Sequence, residues 1–146
     1  MAGVLDGIRV LDFGLLTAGA NTSAMLADLG ADVLKIESGA YLDPFRVVGK
    51  IDDDDGWWNR SPQFRFTNRN KRGLALDLKH PDGKALFLDL VAKSDVIVEN
   101  FRRGVLERSE QKSLFRRPRT SFALQDAQGL AGLKAQLREE IGRAHV

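Results

Sequence analysis

Apolar runs and helix-like segments alternate along the first part of the chain. The runs at residues 8–13 (IRVLDF) and 32–37 (DVLKIE) are typical of buried strands. Residues 21–29 (NTSAMLADL) between them predict a helix, capped at its start by one of its first three polar residues and at its end by Gly30. This order predicts a βαβ unit with parallel strands and a right-handed crossover.

The same alternation returns in a second unit. Apolar runs at residues 74–78 (LALDL) and 95–99 (DVIVE) predict two more strands. The helix between them begins at Pro81, which is well tolerated in a first helical turn, and ends near Lys93. Its buried face is predicted to carry three residues: Leu86, Leu90 and Val91. The predicted fold class is α/β, with a Rossmann-like open, mostly parallel sheet over residues 5–101.

Residues 38–65 interrupt the alternation. Their glycines and prolines predict a long excursion from the sheet, with Trp57 and Trp58 as an aromatic anchor. The acidic run Asp52–Asp55 lacks the alternating ligands and terminal glutamate of a calcium loop. We therefore interpret it as a solvated turn, and no metal site is predicted.

The pattern changes again after Arg108. No further strand is predicted there, and apolar residues recur at helical spacing at Leu130, Leu133, Leu137 and Ile141. This spacing predicts an amphipathic helix over residues 122–141.

The composition favours a soluble globular protein. Of the 146 residues, 43% are hydrophobic and 29% are charged, which is ordinary for a single domain. The absence of cysteine excludes disulfides, a thiolate nucleophile and cysteine-ligated metal, and two histidines are too few for a zinc site. No apolar run reaches the ~20 residues of a membrane span, and the N-terminus has no signal-peptide core. We expect a cytoplasmic protein with no membrane partner.

The positive charge lies in the last quarter of the chain. Residues 1–108 contain 15 Lys/Arg and 16 Asp/Glu, a net charge of −1, whereas residues 109–146 contain 7 and 4, a net charge of +3. A small basic cluster of this kind, around Arg116, Arg117 and Arg119, is usually a solvated surface. We therefore expect no nucleic-acid partner.

The first candidate site is the glycine-punctuated loop at residues 14–20 (GLLTAGA). It follows the first strand, and open α/β sheets bind ligands beyond the carboxyl ends of their strands. The loop leads into a helix whose free N–H groups favour an anion, but it matches neither the P-loop nor GxGxxG. Glu37 resembles the acid that binds a ribose hydroxyl in dinucleotide sites. The spacing favours an ordinary strand-to-helix turn over a dinucleotide site.

Two further groups are suited to a nucleotide. The segment Asn68–Arg72 (NRNKR) is either a solvated turn, which its composition favours, or a phosphate clamp. Asn100 and Phe101, at the end of the fourth strand, are suited to a purine ring, and Phe101 is equally suited to the core. His80 is interpreted as a surface residue. No nucleophile with an adjacent base is present.

Three blocks of the sequence resemble one family. They are LDGIRVLDF, TAGANTSAMLADLGADVLKIE and NRNKRGLALDLKHPDGKALFLDLVAKSDVIVENFRRGVLER, in order from Leu5 to Arg108. Together they are similar to the N-terminal part of class III CoA-transferases, the family of formyl-CoA transferase, carnitine CoA-transferase and alpha-methylacyl-CoA racemase. The resemblance implies a CoA-binding large domain, transfer of CoA between an acyl-CoA thioester and a carboxylic acid, and an interlocked homodimer of the full-length protein.

The resemblance also implies cofactor-binding positions for coenzyme A at the strand ends. Carried over to this sequence, these positions are Thr17, Ala18, Leu76, Lys79, Asn100, Phe101, Arg102 and Arg108. Three residues depart from the family pattern: Ala20 replaces a proline, Thr17 stands where formyl-CoA transferases carry glutamine, and Ser38 stands where some members carry arginine. The missing glutamine argues against a formyl or oxalate specialist.

The resemblance assigns no catalytic residue. The transferase aspartate that forms the acyl anhydride, and the His/Asp pair of the racemase, lie beyond the matching part of the family. Residues 109–146 depart from the family pattern and residues 140–146 resemble a translated sequencing adapter, so we expect a frameshifted or chimeric tail after residues 1–108. Three hypotheses stay open: a CoA-transferase fragment that is inactive alone, a racemase-type epimerase, and a non-catalytic CoA- or nucleotide-binding module.

Overall fold

Five parallel strands form one sheet in the computed structural model of the chain. The structure describes residues 3–40, 42–48 and 56–101, and the backbone of residues 121–123. In chain order the strands are β1 (Arg9–Asp12), β2 (Asp32–Glu37), β3 (Arg72–Ala75), β4 (Val96–Glu99) and β5 (Ser121–Ala123). Their order across the sheet is β3-β2-β1-β4-β5, and every neighbouring pair is parallel. The predicted α/β class with a Rossmann-like open parallel sheet is confirmed.

Helices connect the strands of both units. The α-helices are α1 (Ala18–Asp28) between β1 and β2, α2 (Pro62–Thr67) in the segment before β3, and α3 (Pro81–Ala92) between β3 and β4. Two short 3-10 helices, Pro44–Arg46 and Trp57–Asn59, lie in the excursion that follows β2. Within the described ranges, no helix combines the length and the apolar character that crossing a bilayer requires.

The central strand β1 marks a change of direction in the chain. Val10 of β1 pairs with Val33 of β2 on one side and with Val96 of β4 on the other. The chain therefore runs outward from β1 to β2 and β3, and then crosses back to place β4 beside β1. The loops after β1 and β4 leave neighbouring strands at the same edge of the sheet. This switch point is where open α/β sheets bind their ligands.

The core lies on both faces of the sheet, because successive strand residues point to opposite sides. On the face that α3 covers, buried side chains form one cluster: Leu11, Phe13, Ile36, Leu76, Phe87, Val91 and Ile97. On the face that α1 covers, a second cluster contains Val10, Ala27, Ala31, Val33 and Val98. Strands β1, β2 and β4 are thus buried from both sides, as their runs of apolar residues indicate, whereas the edge strand β3 is largely exposed.

Helix α1 begins three residues before the predicted start. Its N-cap is Thr17, which makes no side-chain capping hydrogen bond, and its C-cap is Leu29. The predicted polar N-caps at residues 21–23 are therefore wrong, and the first helical turn contains Gly19, whose backbone lies close to that of Gly14. Gly30 caps the end of the helix as predicted: it follows Leu29 with φ +104°, the left-handed conformation that favours glycine, and its N–H donates to the Ala27 carbonyl at 3.0 Å.

Two details of the second unit also differ from prediction. Strand β3 covers residues 72–75 rather than 74–78. The N–H of Leu76 makes a last hydrogen bond to the Glu37 carbonyl of β2, and the chain then turns away from the sheet. In α3 the predicted core residue Leu86 is 46% exposed, whereas Phe87 is fully buried. Adjacent helical positions differ by about 100° around the helix axis, which turns Leu86 toward solvent and Phe87 toward the sheet. The other two predicted core residues are correct, because Val91 is buried and Leu90 packs against the core.

The segment after Arg108 contains a strand that the pattern did not predict. Ser121–Ala123 form β5, which pairs with β4 in parallel. The prediction that no strand follows is therefore wrong, and so is the first part of the helix predicted over residues 122–141. Three residues are too few for periodicity to distinguish a strand from a helix. The acidic run at residues 52–55 and the rest of that helix lie outside the described residues.

Candidate functional site

Side chains hold the main chain of the turn between β1 and α1, at the switch point of the sheet. Gly14 donates its N–H to Oδ1 of Asp12 at 2.7 Å, and its carbonyl accepts from Nζ of Lys35. Leu15 donates to Oδ1 of Asn100 at 2.8 Å, and its carbonyl accepts from Nδ2 of Asn100 at 3.0 Å. All four backbone polar groups of Gly14 and Leu15 are thus bonded to side chains.

Asn100 fixes this turn from the end of β4. Its amide oxygen and nitrogen both contact Leu15, which leaves one N–H and one lone pair of the amide for another partner. A Cβ at Gly19 would lie 2.7 Å from Oδ1 of Asn100 and 2.5 Å from Cα of Gly14. Only glycine fits at this position. The sequence-predicted residue Asn100 therefore reaches the predicted loop, and its described contacts orient the main chain.

The predicted residues Thr17 and Ala18 lie where the turn enters α1. Both are exposed, and Thr17 leaves the first-turn N–H groups of α1 without a side-chain cap. Leu16, just before them, has φ +54° and is 41% exposed. A branched side chain is costly in this left-handed conformation, and such geometry is found where the surroundings enforce it. The structure brings Thr17, Ala18 and Asn100 together at one turn.

Leu76 and Phe101 belong to a separate apolar group. Leu76 is buried in the core on the α3 face, and Phe101 packs against the same cluster. The Phe101 ring lies 6.5 Å from that of Phe13, and its N–H donates to Oε2 of Glu99 at 2.6 Å. Both interpretations of Phe101, as a core residue and as a wall of an apolar slot, remain compatible with this half-buried position.

Lys79 lies in the turn between β3 and α3. Its side chain is exposed, and its N–H donates to Oδ1 of Asp77 at 2.9 Å. No described contact joins it to Asn100 or Thr17. The two remaining predicted positions, Arg102 and Arg108, lie outside the described residues.

The polar segment Asn68–Arg72 has a role that neither hypothesis for it contained. Arg69 and Asn70 bind the carboxylate of Asp28 at the end of α1, and Arg72 binds Asp32 at the start of β2. The hydrogen bond from Arg69 is the largest influence on Asp28 and lowers the pKa of that carboxyl. These side chains join α1 and β2 to the segment before β3, and their contacts favour a structural role over a phosphate clamp.

Lys71, from the same segment, is buried beneath the turn. Its Nζ lies 2.8 Å from Oδ2 of Asp12 and 2.8 Å from the carbonyl oxygen of Ala20. The two charged side chains are 1% and 0% exposed. Burial lowers the pKa of Lys71 below its ordinary value, although the charge of Asp12 opposes this shift. Lys35 forms a second buried pair with Asp43 at 3.2 Å.

Glu37 is bound within the protein rather than free for a ribose. Its carboxylate accepts from Arg46 at 2.5 and 3.0 Å and from the Asp43 N–H at 3.0 Å. The Arg46 guanidinium also lies 3.6 Å from the centre of the Phe64 ring. Arg46, rather than the predicted tryptophan pair alone, thus attaches the excursion to the sheet, and Trp58 contributes a carbonyl acceptor. The resemblance of Glu37 to a ribose-binding acid was misleading.

The Glu37–Arg46 pair predicts a measurable pH dependence of stability. Burial raises the pKa of Glu37, but the hydrogen bonds from Arg46 and the Asp43 N–H outweigh it, and the pKa lies below its ordinary value of 4.5. The stabilisation is therefore complete above that value and is lost as the pH falls through the lower pKa of the folded state. We expect the free energy of unfolding of Glu37→Gln to depend less on pH than that of the original chain, below about pH 4.5.

Urea titrations monitored by circular dichroism at successive pH values measure this difference. The control is Asp95→Asn, which removes an exposed carboxylate at the opposite edge of the sheet and leaves Glu37 in place. Parallel profiles for Glu37→Gln and the original chain would contradict the assignment.

His80 is a surface residue, as predicted. It caps α3, and its Nδ1 accepts from the Asp82 N–H at 3.2 Å with the side chain 63% exposed. In the part of the chain that the structure describes, no group of three or more His, Cys, Asp or Glu residues is arranged to hold a metal ion.

Three site residues escaped the sequence analysis: Asp12, Lys35 and Asp43. A signal for the first two was present, because each is a charged residue inside an apolar run that predicts a buried strand. Charged side chains are rarely fully buried unless they are paired. A charge in a central strand therefore indicates a buried partner, but it does not say which one.

Comparison with known proteins defines the class to which this fold and turn belong. Residues 5–114 match CoA-transferase family III. Because the match covers well over half of the chain, the chain belongs to this family. The resemblance inferred from the three sequence blocks is confirmed.

Individual relatives agree with this assignment. The chain is 41% identical over 101 residues to a probable CoA-transferase of Mycobacterium tuberculosis, covering 69% of this chain and 12% of the relative. It is 41% identical over 107 residues to the succinyl-CoA–L-malate CoA-transferase alpha subunit of Chloroflexus aurantiacus, covering 70% and 23%. It is also 41% identical over 108 residues to formyl-CoA:oxalate CoA-transferase of a Bradyrhizobium species, covering 74% and 24%.

Solved structures of the family share the fold. A CAIB/BAIF family protein from Brucella suis superposes with a TM-score of 0.63 at 34% identity, covering 78% of this chain and 30% of that one. A hypothetical protein from Mycobacterium tuberculosis superposes with a TM-score of 0.65 at 31% identity, covering 84% and 32%. The chain spans at most about a quarter of the length of the three curated relatives described above.

Proposed function

We propose that the chain binds the nucleotide part of coenzyme A at the carboxyl-terminal edge of its sheet, as the CoA-binding part of an enzyme that moves CoA between an acyl-CoA thioester and a carboxylic acid. The observation that carries this proposal is the family match over residues 5–114. The names of two relatives, which act on succinyl-CoA with L-malate and on formyl-CoA with oxalate, support the reaction class.

The geometry of the switch point supports an anionic ligand there. The turn is held by side chains, and the first-turn N–H groups of α1 have no side-chain cap. Helix N-termini carry a partial positive charge that favours phosphate groups. Lys79 is exposed in the β3–α3 turn, two strands away at the same edge of the sheet, and its ammonium is suited to a phosphate of an extended ligand.

Apolar side chains near this edge suit the adenine ring. Leu76 and Phe101 pack in one cluster at the ends of β3 and β4, and nucleotide sites combine apolar walls with a few polar groups. The full proposed set comprises Thr17, Ala18, Leu76, Lys79, Asn100, Phe101, Arg102 and Arg108. No catalytic residue is proposed within the described part of the chain, and catalysis is assigned to the larger enzyme.

The wider context of the enzyme is proposed from the family resemblance and, for its location, from the apolar pattern of the sequence. The full-length protein is proposed to be a cytoplasmic interlocked homodimer. Residues 1–108 are proposed to be its CoA-binding region and 109–146 a frameshifted or chimeric tail, although the family match itself extends to residue 114. Sequencing the gene around codons 108–146 tests this division. A native reading frame continuous with family relatives would contradict it.

Isothermal titration of the chain with coenzyme A tests the proposed function directly. We expect saturable binding, and weaker binding of 3′-dephospho-coenzyme A, because the missing phosphate removes charge-assisted hydrogen bonds. Equal affinity for the two compounds would contradict the assignment of a cationic phosphate site. Absence of binding to either compound at millimolar concentration would overturn the proposal.

Replacing Lys79 with methionine is expected to weaken CoA binding by about 10- to 150-fold, because one hydrogen bond to a charged group contributes about 1.5–3 kcal/mol. The side chain is exposed, so the fold should be unaffected. The matched control is Lys93→Met, which removes the same charge at the end of α3, before β4 and hence at the opposite edge of the sheet. Equal losses of affinity in both variants would indicate a general charge effect instead.

A further inference from the structure

Two buried lysines contact the main chain of the β1–α1 turn, one near each end. Lys35, on β2, donates from Nζ to the carbonyl oxygen of Gly14. Lys71, just before β3, donates to the carbonyl oxygen of Ala20 at 2.8 Å. Their side chains are 2% and 1% exposed. Neither ammonium group is accessible to a ligand, so each acts on the site only through the backbone that it holds.

Both lysines are paired with a carboxylate that also binds the backbone. Asp12, 2.8 Å from Lys71, accepts the N–H of Gly14 at 2.7 Å. Asp43, 3.2 Å from Lys35, accepts the N–H of Phe45 at 2.9 Å and so begins the first 3-10 helix of the excursion. The Lys35–Asp43 pair therefore joins the loops that follow β1 and β2, two neighbouring loops at the carboxyl-terminal edge.

Stability alone is a poor explanation for these pairs. Removing two charges from water is costly, and replacing a buried ion pair by apolar groups is often neutral or stabilising. Two such pairs nevertheless lie beneath one turn. Between their contact points the backbone adopts the left-handed conformation at Leu16, which persists only where neighbouring groups enforce it.

We propose that Lys35 and Lys71 are positioning residues for the coenzyme A site. They fix the two ends of the segment from Gly14 to Ala20. The first-turn N–H groups of α1 are thereby held in the conformation that binds the ligand. The inference rests on the proposed function, because it assigns these residues to the same site. The effect of the two lysines on the backbone of the turn can be measured without any ligand.

The double variant Lys35→Met with Asp43→Asn tests the first lysine. Removing both charges leaves no unpaired buried charge, and the new amide oxygen can still accept the Phe45 N–H. We expect the variant to fold, the amide hydrogen exchange of Gly14 and Leu15 to become at least about tenfold faster without ligand, and the dissociation constant for coenzyme A to rise about tenfold.

The double variant Lys71→Met with Asp12→Asn tests the second lysine in the same way. It loosens the α1 end of the turn, so exchange is expected to become faster at Leu15 and at Asn21, whose N–H is bonded to the Thr17 carbonyl. Either variant keeps the proposal testable if the other fails to fold. The control is Arg72→Gln, which removes a partner of Asp32 at the opposite edge of the sheet and should change neither exchange in the turn nor affinity.

The outcomes separate the two proposals. Unchanged exchange in the turn overturns the inference whether or not coenzyme A binds. Faster amide exchange with unchanged affinity for coenzyme A also overturns it, because the lysines would then fix the turn without affecting ligand binding. If the original chain binds no coenzyme A and exchange is still faster in the variants, the proposed function is overturned. The conclusion that the lysines fix the backbone of the turn is then supported. Faster exchange together with weaker binding supports both.

Discussion

Replacing Gly19 with alanine is expected to abolish measurable coenzyme A binding and to destabilise the chain by about 1–3 kcal/mol, the usual cost of overpacking. The added Cβ would lie 2.5 Å from Cα of Gly14 and 2.7 Å from Oδ1 of Asn100. Relief requires the Asn100 amide to release Leu15 or the start of α1 to move away from Gly14. Either movement changes the turn that the proposed site uses.

Calorimetric titration and urea unfolding measure the two parts of this prediction. The control is Gly73→Ala in β3, because no atom lies within 4 Å of the Cβ built at that position. This variant should bind coenzyme A normally and unfold at the same or a slightly higher urea concentration. If Gly19→Ala bound coenzyme A normally, the turn would tolerate the movement that the added Cβ requires. The proposal that binding depends on the fixed geometry of this turn would then be contradicted.

Truncating Phe87 to alanine is expected to cost about 3–5 kcal/mol of the free energy of unfolding, the largest stability effect that we predict. The side chain is fully buried on the α3 face, and its ring meets that of Phe13 edge-on at 5.4 Å. Because small domains are stable by only about 5–15 kcal/mol, the variant should be largely or partly unfolded at physiological temperature.

The neighbouring Leu86→Ala variant provides the matched control. Leu86 is 46% exposed, so its truncation should change the free energy of unfolding by no more than about 0.5–1 kcal/mol. Urea denaturation monitored by circular dichroism compares the two variants. If Leu86→Ala were the more destabilising change, α3 would bury Leu86 rather than Phe87. The prediction from the sequence would then be right and the orientation of α3 in the structure wrong.

The regular elements were largely predictable from local pattern. Strand β2 occupies the predicted residues 32–37, and α3 begins at the predicted Pro81. These elements depend on periodicity and on backbone chemistry within a few residues, which a single sequence displays directly. An error occurred at the start of α1, where Asn100 from the distant end of β4 bonds to Leu15 and lies against Gly19.

In the candidate site, too, local features were predictable and contacts between distant residues were not. The position of the loop after β1, and the presence of an asparagine and an aromatic residue after β4, were readable from the sequence. The partner of each polar group was not. Lys71 belongs to a segment whose composition indicated a solvated turn or a phosphate clamp, yet it lies buried against Asp12.

By itself, the sequence determined the parallel α/β architecture, the family and the position of the loop that follows β1, because each follows from residue patterns that are local or that recur in order along the chain. Only the tertiary structure decided which side chains hold the turn. Lys71 and Asp12 are 59 positions apart, and Asn100 and Leu15 are 85 apart. A charged or amide group in a strand signals that it needs a partner when buried, but the choice among distant partners depends on how the strands are ordered and registered in the sheet.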